Sequence, residues 1–104
     1  MYLAIDIGGT KTLFASFSGD GKVQKKHKFA TPESYDDFIK ECRQEYHKFA
    51  TTGYLKAVVA AVPGRLDRQR GIALAFGNRP WQNLPIRSDL ETIIGQPVRI
   101  ENDS

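Results

Sequence analysis

A mixed α/β domain is predicted by three features of the sequence. Residues 2–29 hold three β-rich runs divided by glycine turns, and residues 31–53 carry one apolar stripe at helical spacing. The Ala/Val run that follows reads as a parallel strand reached through that helix. At 104 residues the chain has room for one domain on one core.

Tyr2–Ile7 is a short apolar run closed by Gly8-Gly9, and Thr12–Phe17 is β-rich up to the Ser18-Gly19-Asp20-Gly21 turn. Val23–Phe29 supplies a third strand whose lysines suit a solvated edge, completing an antiparallel meander. Thr31-Pro32 is expected to open the first helix, Thr31 as N-cap and Pro32 at the first helical position, with Ser34 and Asp37 as a capping alternative. Tyr35, Phe38, Ile39, Cys42, Tyr46 and Phe49 form its stripe, and Gly53 ends it. Cys42 is therefore expected as a core thiol, and His47, off the stripe, in solvent.

Lys56–Val62 is expected to be buried on both faces and is stopped by Pro63-Gly64. Gly71–Phe76 reads as a short strand or hairpin arm, and Gly77–Pro85 as an irregular loop containing Trp81. Ser88-Asp-Leu-Glu91 has the form of a capping box for a second helix, with Leu90, Ile93 and Ile94 inward and Gly95 as terminator. Val98–Glu101 is the last strand. The order resembles a ribonuclease H-like fold and places the ends of the first, fourth and last strands on one side, where ligands bind in such sheets.

Lys plus Arg is 15 and Asp plus Glu 12, a formal charge of +3 with 40% hydrophobic residues, which is globular rather than disordered composition. The basic residues are scattered, and their densest cluster, Lys22 to Lys28, is short, so no nucleic-acid partner is expected. The single Cys42 excludes an internal disulfide, and no paired Cys or His spacing suggests zinc. The N-terminal apolar run lacks a basic n-region and meets Asp6, so neither a signal peptide nor a membrane span is expected there. A soluble cytoplasmic protein is the expectation.

Chemistry concentrates at two strand ends. Asp6-Ile7-Gly8-Gly9-Thr10-Lys11 places a carboxylate at the end of a buried strand, where it carries a desolvation penalty unless it meets a cation, a metal or a hydrogen-bond partner, then two glycines, a hydroxyl and an ammonium. Glycines let backbone N–H groups approach an anion, and such a concavity binds phosphate oxygens. A carboxylate beside a phosphate cradle suggests Mg²⁺ held partly through water. The same residues also suit a plain glycine hairpin with a solvated Asp. Glu101-Asn102-Asp103 follows the last β-run. Asn can both donate to and accept from a substrate hydroxyl, and a carboxylate in reach can take the proton of an attacking hydroxyl. An Asn-Asp helix cap explains the same residues. Asn78 with Trp81 is a sugar-facing combination, although a loop Trp commonly covers a core edge.

Asp6-Ile-Gly-Gly-Thr-Lys11, Val62-Pro-Gly64, Gly77-Asn-Arg-Pro-Trp81 and Glu101-Asn-Asp103 occur in the order and approximate spacing of one family. From Met1 to Ser104 the chain resembles the N-terminal domain of ROK-family sugar kinases, a group with bacterial glucokinases, fructokinases and N-acetylhexosamine kinases. The first motif alone is shared across the actin-like ATPase superfamily, whereas the ordered combination is much more specific. The resemblance implies ATP and Mg²⁺ as cofactors and a hexose as substrate. It implies that Asp6 organises Mg²⁺ and the transferring phosphate and that Gly8, Gly9, Thr10 and Lys11 form the first phosphate loop. Gly64, Asn78 and Asn102 are then expected to face sugar hydroxyls, with Asp103 as general base. Glu101 belongs to the motif without a required contact.

Members of that family are considerably longer, with a second domain supplying a Glu-x-Gly-His sugar segment, a cysteine-rich zinc motif and the adenosine site. None of these occurs in this sequence. The resemblance therefore implies that residues 1–104 are an N-terminal domain without its C-terminal domain, inactive alone because the ligands are clamped between two domains. The helix expected after Asn102-Asp103 would be missing too, so an uncovered sheet face and self-association are expected. Two other classes compete. A ribonuclease H-like nuclease would use Asp6 with Glu101 or Asp103 as Mg²⁺ ligands; the Gly-Gly-Thr-Lys turn and modest charge speak against it. A sugar-sensing repressor would need a helix-turn-helix ahead of the first strand, which here begins at Tyr2.

Overall fold

The computed structural model describes residues 1–49, 55–77 and 79–102. In chain order it contains β1 (Tyr2–Ile7), β2 (Lys11–Phe17), β3 (Val23–Ala30), α1 (Tyr35–Phe49), β4 (Ala57–Val62), β5 (Arg65–Asp67), β6 (Ile72–Phe76), β7 (Arg79–Leu84), α2 (Ile86–Ile94) and β8 (Arg99–Asn102). One sheet has the order β3-β2-β1-β4-β8, and β5-β6-β7 form a second. The tight turns make β1, β2 and β3 antiparallel, whereas β4 and β8, each reached through a longer connection, run parallel to β1.

Side chains alternate across a strand, so the register assigns each residue to a face. Leu3, Ile5, Ile7, Phe14, Val58, Ala60, Val62 and Ile100 share the inner face and are 4% exposed or less. They form one core with Phe38, Cys42 and Phe49 of α1, Ala73 and Phe76 of β6, Trp81 of β7, and Ile86 and Leu90 of α2. The outer face carries Tyr2, Ala4 and Asp6 in register with Ala57, Val59 and Ala61. Val59 is 37% exposed. The expectation that residues 56–62 are buried on both faces is thus corrected: the elements that share the core lie on the inner side, and β4 is buried there alone.

The first helix starts at Tyr35, not at Thr31-Pro32. Thr31 donates its N–H to Thr10 O at 2.9 Å, which prolongs the β2–β3 ladder and removes Thr31 from the cap position. Ser34 caps instead, its Oγ accepting from Asp37 N–H at 3.1 Å. Asp36 and Asp37 in the first turn and His47 and Lys48 in the last suit the helix dipole. The termination expected at Gly53 lies outside the described residues. Strand β3 is not simply a solvated edge. On its inner side the His27 ring bonds the buried Glu45 carboxylate, and Lys25 Nζ donates to Phe49 O at 3.0 Å, capping the end of α1.

Ser88–Glu91 is not a capping box. Helix α2 begins at Ile86 after Pro85 with no side-chain cap, because Gly71 O accepts the orphan Arg87 N–H at 3.2 Å. Ser88 lies inside the helix, and Glu91 turns to accept from Val98 N–H at 2.8 Å, fixing the approach to β8. Gly95 does terminate the helix, in the left-handed conformation at φ 84°. Residues 77–85, expected as irregular, include β7 paired to β6, and β5 was not foreseen. Among the described residues no helix is long and apolar enough to cross a membrane.

Two experiments probe this packing. Burial pushes the Cys42 thiol up to about 12, so it stays protonated and enclosed at neutral pH. A maleimide probe at pH 7.5 is expected to label Cys42 only as fast as the domain opens; labelling at the rate of a free thiol would show α1 undocked. Ser16 Oγ is buried without a hydrogen-bond partner among the described residues. Ser16→Ala removes that desolvated hydroxyl and is expected to raise the unfolding free energy by roughly 1 kcal/mol in urea titrations, whereas a loss of stability would reveal a partner for it.

Candidate functional site

Parallel pairing puts the carboxyl ends of β1, β4 and β8 along one edge of the sheet. The Gly8–Lys11 turn, the Pro63-Gly64 turn and Asn102 leave the sheet there. Because β4 lies between them, the ends of β1 and β8 are about 10 Å apart, two strand spacings.

The β1–β2 turn is held from inside through each of its four carbonyls. Lys11 O accepts from Gly8 N–H at 2.9 Å, and Gly8 O from Thr31 Oγ1 at 2.9 Å. Gly9 O accepts from Arg79 Nη2 at 2.5 Å, and Thr10 O from Thr31 N–H at 2.9 Å. A planar trans peptide sets its N–H opposite its C=O, so the Gly9 and Thr10 amides point away from the interior. The two glycines differ. At Gly8 a Cβ would sit 2.8 Å from Lys11 O, so the tight turn requires glycine. At Gly9 a Cβ would meet nothing within 4 Å, so that glycine leaves open space beside an outward amide, as an incoming anion requires. Thr10 and Lys11 are exposed at the rim.

Asp6 is placed differently from the expectation of an acid in a buried strand. It sits on the open outer face one residue before the end of β1, exposed, and no described side chain partners it. That removes the desolvation cost foreseen for it and leaves both oxygens available. At the other strand ends, Gly64 adopts φ +87°, and a Cβ there would lie 2.1 Å from Ala75 O, so the close crossing of β4–β5 over β6 demands glycine. Its carbonyl accepts from Asn102 Nδ2. Gly64 and Asn102 are therefore brought together, while Asn78 and Asp103 lie outside the described residues.

Glu101 is engaged by Arg99 Nε at 2.8 Å and by Arg68 Nη2 at 3.3 Å. The Arg99 hydrogen bond foremost, with both nearby arginine charges, holds its carboxyl below the usual carboxylate range. This pairing opposes the role of Glu101 as a metal ligand. Trp81 is a core residue: it is 4% exposed, its Nε1 donates to Glu33 O at 2.8 Å, and its ring lies 4.5 Å from that of Phe76. Thr31, Thr12 and Arg79 are the positions missed from sequence. Thr12 and Thr31 share a buried hydroxyl contact of 2.8 Å behind the turn. A polar residue with no other reason to recur on an inward strand position was the available signal for Thr12; nothing local marked Arg79, which meets Gly9 across the fold.

Comparison with known proteins agrees with this arrangement. A family model described as the ROK family matches residues 2–104. The N-acetyl-D-glucosamine kinase of Vibrio cholerae serotype O1 is 32% identical over 106 residues, covering all of this chain and 35% of that protein. The Streptomyces coelicolor glucokinase is 26% identical over 102 residues, covering 98% of this chain and 32% of that protein. Among solved structures, a ROK family glucokinase from Streptomyces griseus in complex with glucose and AMPPNP superposes with a TM-score of 0.86 at 26% identity, over 98% of this chain and 33% of that one. A ROK hexokinase from Thermus thermophilus gives 0.82 at 30% identity, over 98% and 35%. The chain thus spans about a third of the length of these relatives. Its mixed sheet with an antiparallel meander and parallel strands is that of the ribonuclease H-like, actin-like ATPase fold. The chain belongs to the ROK family, and the relatives named above are sugar kinases.

Proposed function

We propose that these residues are the N-terminal, phosphate- and sugar-binding domain of an ATP-dependent hexose kinase acting in the cytoplasm, whose C-terminal domain lies outside them. The observation that carries this reading is the β1–β2 turn, whose carbonyls are all bound inward beside the Gly64–Asn102 contact on the same sheet edge. An outward pair of amides suits phosphate oxygens, and an Asn at the neighbouring strand end suits a hydroxyl. The activities of the relatives, N-acetyl-D-glucosamine kinase and glucokinase, support the same chemistry.

Gly8, Gly9, Thr10 and Lys11 hold the nucleotide phosphates, with the Lys11 ammonium as a point charge at the rim. Asn102, Asn78 and Gly64 orient the hexose. Asp103 accepts the proton of the attacking hydroxyl as its oxygen bonds to the γ-phosphorus and the bond to the departing ADP breaks. Asp6, exposed, without a side-chain partner among the described residues and next to the turn, fits a Mg²⁺ held mainly by water and phosphate oxygens. Among the described residues no group of three His, Cys, Asp or Glu side chains gathers to hold an ion alone. Bound there, Mg²⁺ supplies charge neutralisation on the phosphates.

A chimera tests the assignment: this chain replaces the matching third of the Vibrio cholerae N-acetyl-D-glucosamine kinase, and sugar-dependent ADP release is measured. Turnover is expected, and Asp103→Asn is expected to lower kcat by roughly 10²- to 10⁴-fold with the fold intact. Unchanged turnover in that variant would remove Asp103 from its role. A folded chimera without sugar-dependent turnover would contradict the kinase reading.

A further inference from the structure

Arg79 opens β7 in the second sheet, yet its guanidinium reaches across the fold to the first. Nη2 donates to Gly9 O at 2.5 Å and to Thr31 O at 2.8 Å, so one nitrogen joins the β1–β2 turn to the β3–α1 connection. The carbon at the centre of the guanidinium lies 5.9 Å from the Trp81 ring centroid, and Trp81 is itself fixed in the core. Arg79 Nε is buried without a hydrogen-bond partner among the described residues. An unmade hydrogen bond on a buried charged group is costly, so the guanidinium is not placed where its own donors are best satisfied. It is placed where two carbonyls of other segments need it.

We infer that Arg79 is a positioning residue for the phosphate turn: it holds the Gly9 carbonyl inward, and thereby aims the Thr10 N–H of the same peptide unit outward at the nucleotide. The cation also polarises that peptide, which strengthens the N–H as a donor to an anion. Of the four inward carbonyls, only that of Gly9 depends on a side chain from the second sheet. The remaining three are held by the turn itself and by Thr31. The inference rests on the phosphate-turn reading above.

Arg79→Met and Arg79→Lys test it. Amide hydrogen exchange and shifts at Gly9 and Thr10 are measured without ligand in the 104-residue chain, and Mg·AMPPNP and glucose affinities by calorimetry in the chimera with the Vibrio cholerae kinase. For Arg79→Met we expect faster exchange confined to the turn and a roughly 10- to 100-fold loss of nucleotide affinity, as fits loss of charge-assisted hydrogen bonds, with glucose affinity unchanged. Arg79→Lys, which keeps the cation, is expected to recover part of the nucleotide affinity. Unchanged turn amides in a folded Arg79→Met, or equal loss of both ligands, would overturn the inference. So would unfolding of both variants, which would make Arg79 a structural residue only. If the unsubstituted chimera bound no nucleotide, the phosphate-turn reading would fail, while the ligand-free amide data on the chain would still decide whether Arg79 sets the turn.

Discussion

The carbonyls of the Gly8–Lys11 turn all find donors within the protein, and the outward direction of the Gly9 and Thr10 amides follows from this. Backbone polar groups are obligatory hydrogen-bonding groups, so a turn in which C=O and N–H compete for the interior has no fixed outer face. Here Thr31 supplies both its hydroxyl and its N–H, Arg79 supplies its guanidinium, and the turn closes on itself through Gly8. Thr12 buttresses Thr31 from β2. The outer surface of the turn is left to Gly9 and Thr10 amides, with Lys11 at the rim and Asp6 on the adjacent face.

Sheet topology decides what stands next to this turn. A hairpin alone would present it to solvent with no partner site. Parallel pairing of β1 with β4 and of β4 with β8 brings the ends of three strands to one edge, so Gly64 and Asn102 meet there although 38 residues separate them. The second sheet contributes twice: the backbone of Ala75 passes against Gly64, and the Arg79 side chain crosses to the Gly9 carbonyl. Strand ends thus carry the proposed chemistry, while the inner face carries stability. The outer face, with Tyr2, Ala4 and Val59, takes no part in the core.

Much of this was legible in the sequence, and the limits have physical causes. The meander, α1 and the parallel strands were readable because their periodicities are strong and their turns are marked by glycine. Gly8 and Gly9 were recognisable as a turn, although only the structure separates their reasons, a steric one for Gly8 and open space for Gly9. Helix starts were misread because local capping patterns lost to tertiary hydrogen bonds: Thr31 joined the sheet, and Gly71 satisfied the start of α2. Strand β7 was hidden by Pro80 and polar residues on its exposed side, and β5 by its three-residue length. Arg79 was invisible as a turn ligand because its partners, Gly9 and Thr31, lie far away in sequence.

The central claim, that the Gly8–Lys11 turn is built to present its Gly9 and Thr10 amides to phosphate, is tested most directly by amide NMR of this chain during titration with Mg·AMPPNP. The largest saturable shifts are predicted at Gly9 and Thr10, with Gly95, a glycine at the end of α2, unmoved. Shifts concentrated elsewhere, for instance on Arg68, Arg87 and Arg99, with Gly9 and Thr10 unmoved would contradict it.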